Sequence, residues 1–472
     1  MSKRLVLVVA VALAACDSGS SDPSFAALRH WNQVAIDTSG LDHAPLEPGE
    51  SRVFGHALGP GRASKAMAVV HIAIFEAVNA IDGGHASYVG LAAAPDGTSM
   101  GAAIAKAAHA TLVALYPSHA PLLDPMLADA LDDIGDGTAK TQGIALGTAA
   151  ATAILAMRAG DGSLHAEPLY GTDYVADDDA GVWRQDPVSP HPLALGALWS
   201  TVTPFVLTSS AQFRAPAPPL MSSAEYATAY DEVQRLGGDG ITTPTERTEE
   251  QTFIGIYWAY DGLPSLCAPP RLYNQIAMEI ADLMGSDVVE TARLLALSNV
   301  AMADAGIAIW ESKYFYKFWR PVTGIRESDA LTGPTGTGDG NGTTVGDGMF
   351  TPLGAPASNT DSLNFTPPFP AYPSGHAGFG GALFQTFRRF YGTDDIAFTF
   401  VSDEWNGETT DNGGNPRPLR PRTFSSLSEA EEENGQSRIY LGIHWSFDKT
   451  GGIAQGRAVA DYVFDNLFVP VP

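Results

Sequence analysis

Three things are scarce in this 472-residue sequence, and each scarcity excludes something. Cysteine occurs twice, at Cys16 and Cys267. Cys16 falls in a processing segment, so no intramolecular disulfide can staple the folded chain. Basic residues number 27 against 53 acidic ones, giving a formal charge of −26. Nucleic acid is thereby excluded as a partner, because a phosphate backbone needs a basic footprint. Any anion site must be a local cluster of cations that outweighs the repulsive field of the whole. Strand-like stretches are nearly absent. Only Leu7 to Val11 and a short run near 396–401 resemble strands, so the fold class expected is all-α. Past the N-terminus, no run is expected to be long and apolar enough to span a bilayer.

The first 25 residues are read apart from the fold. Ser2-Lys3-Arg4 is a basic start, Leu5 to Leu13 an apolar core, and Leu13-Ala14-Ala15-Cys16 a small-residue cleavage box ending in cysteine. This resembles a bacterial lipoprotein signal over residues 1–15, with Cys16 lipidated and residues 16–25 a flexible tether. It implies an exported protein held at the cell envelope, on the periplasmic or outer-membrane face, by its lipid. Residues 26–472 are expected to form one large helical domain.

Within that body the 3.6-residue period marks helices at about 25–38, 62–82, 99–116, 121–133, 139–158, 222–236, 245–260, 271–282, 287–318, 377–391, 427–437 and 447–468. His71, inside the second, reads as a hydrogen-bonded core histidine. Residues 161–192 lose all periodicity, and a loop this long must pack as a cover or lid; Trp183, Trp199 and Phe205 supply the anchors. Tyr257-Trp258-Ala259-Tyr260-Asp261 reads first as a core stripe and second as a pocket wall. The Gly/Thr/Asp-rich insertion 332–365 carries Asp339, Asn341 and Asp347, but their spacing fails the helix-loop-helix calcium pattern and lacks its closing Glu.

Chemistry concentrates in three stretches. Phe369 to His376 (FPAYPSGH) runs into a helix: a proline pins the approach, Ser374 sits where an N-cap belongs, and Gly375 allows close backbone approach. Such a helix start favours anions, and His376 stands beside it. Lys313 and Arg320 are seven apart, so a continuous helix would return both to one face about 10 Å apart, with Pro321 ending it. The bland alternative is two surface cations. His444 and Asp448, four apart, would stack on one helical face so that the carboxylate orients the imidazole; Gly442 permits the break that lets Arg438 reach the same place. Together these offer three cations, two neutral donors and two imidazoles. That inventory suits in-line chemistry at a tetrahedral-to-pentavalent oxyanion, phosphate and vanadate alike.

The order Lys313-x6-Arg320-Pro321, Pro373-Ser374-Gly375-His376, then Ser437-Arg438-x5-His444-x3-Asp448 resembles the vanadium-dependent haloperoxidases and the type 2 phosphatidic acid phosphatases that share their fold. Trp310-Glu311-Ser312-Lys313 and Pro367 to Tyr372 look most like the chloroperoxidases of that family. The resemblance implies helical bundles with the active site at the end of one bundle, and vanadate as cofactor, phosphate being the alternative occupant. It implies His444 as the metal ligand and His376 as the acid-base residue. Lys313, Arg320, Arg438, Ser374 and Gly375 would hold oxygens, Asp448 would orient His444, and Trp310 and Phe369 would line the halide side. The implied partners are hydrogen peroxide, a halide ion and a small organic acceptor, with pairing into a homodimer left open. An acid phosphatase working through a phosphohistidine at His444 is the main alternative. An inactive, lipid-anchored phosphate-binding module is the third.

Overall fold

A computed structural model of the chain describes residues 22–471; the lipoprotein-like signal, Cys16 and most of the tether lie outside the described residues. Thirteen α-helices account for nearly all regular structure among them. The sole strand pair among them is β1 (Phe398–Phe400) with β2 (Arg422–Phe424), antiparallel, with Thr399 opposite Thr423. The first helices are α1 (Pro23–Asp42), α2 (Gly59–Asp82), α3 (Met100–Leu115), α4 (Ala120–Asp132) and α5 (Thr138–Met157). Because α1 begins at Pro23, residues 23–25 are helical rather than tether. Then come α6 (Ala224–Leu236), α7 (Glu249–Tyr257), α8 (Pro270–Met284), α9 (Val288–Tyr316), α10 (Pro321–Arg326), α11 (Gly375–Tyr391), α12 (Leu427–Tyr440) and α13 (Ser446–Asn466).

The axis of the molecule is α9. Asp287 caps it, accepting from the N–H groups of Val289 and Glu290 at 2.9 Å each, and Glu290 reaches back to the Asp287 N–H at 3.1 Å. It is apolar all round and packs on α2, α11 and α13, as a fully surrounded helix must be. Contrary to the sequence-based expectation, α2 and α9 are both long and apolar enough to cross a membrane. The relevant stretches are 83% and 94% buried inside the protein, which makes them core helices. His71 on α2 is fully buried, but neither ring nitrogen has a hydrogen-bond partner, and burial drops its pKa to about 3. It is a neutral core residue without the expected hydrogen bond.

The segment between α5 and α6 packs as the expected cover. Asp304 on α9, fully buried, accepts from the N–H groups of Phe205, Val206 and Leu207 at 2.6, 2.8 and 2.9 Å. Trp183 and Trp199 are buried, and Trp183 N–H donates to Lys317 O at 2.6 Å. The acidic insertion is held by turns: Asp339 accepts from Asn341 N–H and Thr344 hydroxyl, and Asp347 from Met349 N–H.

Candidate active site

Ser374 caps α11 as expected, its hydroxyl accepting from Ala377 N–H at 3.4 Å, while its own N–H donates to Asp448 O at 2.9 Å. The start of α11 is thus bonded to the first turn of α13. Gly375 permits the close approach expected of it, because a Cβ there would meet the Trp310 ring at 3.2 Å.

The route by which Lys313 and Arg320 meet differs from the single helix expected. α9 stops at Tyr316, and Lys317 turns into the left-handed region (φ 52°) with its N–H on Lys313 O. Pro321 then begins α10 with Arg320 as N-cap, rather than ending a helix; proline suits a first turn, whose N–H would lack a partner anyway. His444 and Asp448 likewise do not share a helical face. His444 precedes α13, and Asp448 at the third helical position accepts from His444 Nδ1 at 2.7 Å and from Trp445 N–H at 3.0 Å. A helix-start cap has done what helical stacking was expected to do. Gly442 supplies the break, at φ 72°, that turns Arg438 back toward His444.

These residues form one buried cluster. Arg320 Nη1 donates to His444 Nε2 at 2.9 Å and to Ile443 O at 2.8 Å, and its Nε to Phe369 O at 2.9 Å. With Nδ1–H given to Asp448 and Nε2 accepting, His444 is the neutral tautomer whose lone pair is on Nε2. Lys313 Nζ donates to Pro370 O at 2.8 Å and Ala371 O at 2.9 Å and lies 5.1 Å from the Phe369 ring centre. Trp310 and Phe369 pack with ring centres 4.9 Å apart. The cover positions the indole: Trp310 Nε1 donates to Leu195 O at 3.1 Å, and Gly196 (φ 74°) fits against it where a Cβ would overlap the ring.

His376 Nε2 donates to Trp258 O at 2.5 Å, leaving the lone pair on Nδ1, which lies 3.9 Å from an oxygen of Asp261. Asp261 is the residue the sequence reading passed over. Both its oxygens accept from Arg438 Nη2, at 2.7 and 2.8 Å. Tyr257, Trp258 and Tyr260 are core, as the first reading had it, while Asp261 lines the pocket. A carboxylate closing an aromatic run with no cation near it in sequence was the available signal.

A cavity of about 680 Å³ opens over the cluster. Trp310, Phe369, Gly375, His376, Arg438 and His444 line it, whereas Lys313, Arg320, Ser374 and Asp448 stand behind that lining. The electrostatics are those of a buried, cation-rich cluster beneath the cavity. Burial, then Arg320, hold the Lys313 amine well below its ordinary value, and burial pulls Arg320 down to about 9. Burial, then Arg320, Lys313 and Arg438, keep His444 neutral, and burial with Arg438 does the same for His376. Burial raises Asp448 to about 7 and also raises Asp261, against the pull of Arg438.

Residues 293–469 match the family model for the VCPO second helical-bundle domain. Vanadium chloroperoxidase of Curvularia inaequalis is 41% identical over 278 residues, covering 51% of this chain and 44% of that protein. The chain therefore spans less than half the length of this curated relative. Among solved structures, a bacterial vanadium-dependent iodoperoxidase superposes over 93% of this chain and 96% of its own, with a TM-score of 0.70 and 24% identity. A bacterial vanadium-dependent chloroperoxidase in its holo form superposes over 89% and 95%, with a TM-score of 0.61 and 16% identity. The chain is thus similar in sequence to a vanadium chloroperoxidase over about half its length and has the fold of the bacterial vanadium-dependent haloperoxidases.

The residues present fit the tetrahedral oxyanion expected from the sequence. Arg320 Nη2 and Arg438 Nε and Nη1 are buried donors without a protein acceptor. Buried N–H groups on charged side chains are costly unless bonded, and an anion between these two arginines would satisfy all three while reversing the charge crowding. Among the described residues no group of three or more His, Cys, Asp and Glu could hold a bare metal ion. The donor set is that of an oxyanion held by N–H groups, beside a neutral His444 whose Nε2 lone pair accepts from Arg320 Nη1.

Proposed function

We propose that the protein is a vanadate-dependent haloperoxidase that oxidises halide with hydrogen peroxide to hypohalous acid, which halogenates organic molecules. The observation that carries this is the set of three guanidinium nitrogens without protein acceptors beside a neutral His444 whose proton Asp448 holds on Nδ1. Arg320 and Arg438 would hold vanadate oxygens and His444 Nε2 would ligate the metal once Arg320 Nη1 releases it, with the Gly375 backbone on the cavity lining and Lys313 and Ser374 supporting the site from behind it. Bound vanadate would supply a pentavalent Lewis acid that activates peroxide without changing oxidation state.

The remaining work falls to the chain's own side chains. His376, neutral and with its lone pair on Nδ1 at the cavity wall, is placed to exchange a proton at that atom with a peroxide that bound vanadate would acidify. Arg320 and Arg438 present guanidinium nitrogens without protein acceptors to an anion, and their burial strengthens that attraction. Trp310 and Phe369 exclude water from the side on which halide arrives. Peroxide, halide and one proton are consumed, and hypohalous acid and water are formed.

The decisive assay measures peroxide-dependent oxidation of iodide, bromide and chloride before and after adding orthovanadate. Activity is expected only after loading, and His444→Ala is expected to abolish it and to weaken vanadate binding by more than about tenfold. Phosphate-ester hydrolysis inhibited by vanadate, without halide oxidation, would select the phosphatase reading instead.

A further inference from the structure

We propose that Ser402 and Asp403, in the turn after β1, are positioning residues for the active site: they hold the run Tyr257-Trp258-Ala259-Tyr260-Asp261 from behind and thereby set where His376 and Arg438 stand. This rests on the haloperoxidase reading only in taking vanadate as the anion bound.

The load on that run is the first observation. His376 is on α11 and Arg438 on α12, yet both lean on the same few residues. Trp258 O accepts from His376 Nε2 at 2.5 Å, which fixes the tautomer with its lone pair on Nδ1. Asp261, three residues on, accepts from Arg438 Nη2 at 2.7 and 2.8 Å. Between them Tyr260 has φ 48°, a left-handed conformation that a residue with a side chain keeps only where its surroundings hold it. Residues 258–261 lie past the end of α7 and outside any regular element, so no continuing ladder of backbone bonds fixes them.

The hold is the second. Tyr257 Oη donates to Phe400 O at 2.9 Å, at the end of β1. Ser402 Oγ, fully buried, donates to Tyr257 O at 2.6 Å, satisfying a carbonyl that the C-terminus of α7 leaves open. Asp403 N–H donates to the Tyr260 hydroxyl at 2.5 Å, and that hydroxyl donates to Gln275 Oε1 at 3.1 Å.

The anchorage of the turn is the third. Asp403 Oδ2 accepts from Arg271 Nε at 2.8 Å and Gln275 Nε2 at 2.9 Å, both on α8. Glu404 Oε2 accepts from Arg417 Nη1 at 2.7 Å and Ser358 Oγ at 2.6 Å. A hydrogen-bonded network of this kind is rigid and transmits its own position to what it holds. Neither Ser402 nor Asp403 lines the cavity, so their influence on the oxyanion passes through residues 257–261.

Calorimetric titration of the full protein with orthovanadate, and imidazole nitrogen NMR on isotope-labelled histidine without vanadate, test this together. Ser402→Ala and the near-isosteric Tyr260→Phe are each expected to weaken vanadate about fivefold, the loss of one hydrogen bond. Thr399→Ala removes the exposed cross-strand bond to Thr423 on the neighbouring strand without touching residues 257–261, and is expected to bind as the parent does. Combined with Asp261→Asn, Ser402→Ala is expected to weaken binding by less than the product of the two separate effects, because both act through one carboxylate. In the parent the His376 imidazole is expected to carry its proton on Nε2 alone, and in Ser402→Ala and Tyr260→Phe to divide it between the two nitrogens. Should Ser402→Ala not fold, Tyr260→Phe carries both measurements and its own cycle with Asp261→Asn. Parent-like affinity in the variants, an unchanged His376 proton position, an additive cycle, or an equal loss in Thr399→Ala would each overturn the proposal. A parent protein that binds no vanadate would sink the haloperoxidase reading instead, and the His376 proton position, read without any anion, would still decide the role of the turn.

Discussion

Asp261 engages Arg438 through Nη2 alone, which leaves Nε and Nη1 without protein acceptors. The carboxylate therefore holds the guanidinium in place by one nitrogen and leaves the other two for an anion. Asp261→Asn keeps the shape and one acceptor oxygen but removes the charge-assisted part of this contact. Such bonds contribute roughly 1.5–3 kcal/mol, so the vanadate dissociation constant is expected to rise about tenfold in a calorimetric titration. A variant that bound vanadate more tightly would show instead that Asp261 competes with the anion by repulsion. At this scale the chemistry of each side chain was legible in advance. The Arg438 partner was not, because Asp261 lies 177 residues away in sequence.

Between elements, the site depends on how closely α11 approaches α13, since one begins at Ser374 and the other just after His444. Glycines make that approach: a Cβ at Gly456 would overlap Gly378 O, and one at Gly452 would come within 2.5 Å of Ser374 O. Both neighbours are backbone and cannot rotate away. Gly456→Ala is thus expected to force the two helices apart and to lower unfolding stability by roughly 3 kcal/mol, read as a shifted urea midpoint, with weaker vanadate binding as a second readout. An unchanged midpoint would mean that the pair has slack. The helices themselves were foreseeable from periodicity, as was the cap at Ser374. Their contact, the interruption of α9 at Lys317 and the new start at Pro321 were not, because a left-handed turn at a lysine has no composition signal.

For the molecule as a whole, strong net acidity and a cation-rich pocket coexist because the field of a buried cluster dominates at short range while the surface charge is screened within about 10 Å. The same scale carries the proposal that the protein is an exported lipoprotein of the cell envelope, supported by the basic start, apolar core and Leu13-Ala14-Ala15-Cys16 box. In a bacterial host, Cys16 is expected to incorporate radiolabelled palmitate, and Cys16→Ser to move the protein from the membrane to the soluble fraction. Membrane retention of an unlabelled Cys16→Ser protein would remove the anchor from the picture.

By itself, the sequence determined the all-α class, nearly every helix and the identity of the clustered cations and imidazoles, because periodicity, capping residues and local spacing are short-range properties of the chain. Folding alone decided which backbone turn brings Arg320 to His444, that Asp448 reaches His444 through a helix cap, that Asp261 pairs with Arg438, and that a largely apolar cavity opens over them. Those outcomes depend on contacts between segments tens to hundreds of residues apart. No local pattern encodes them, since their energy comes from burial shared by partners that meet only when the core is packed.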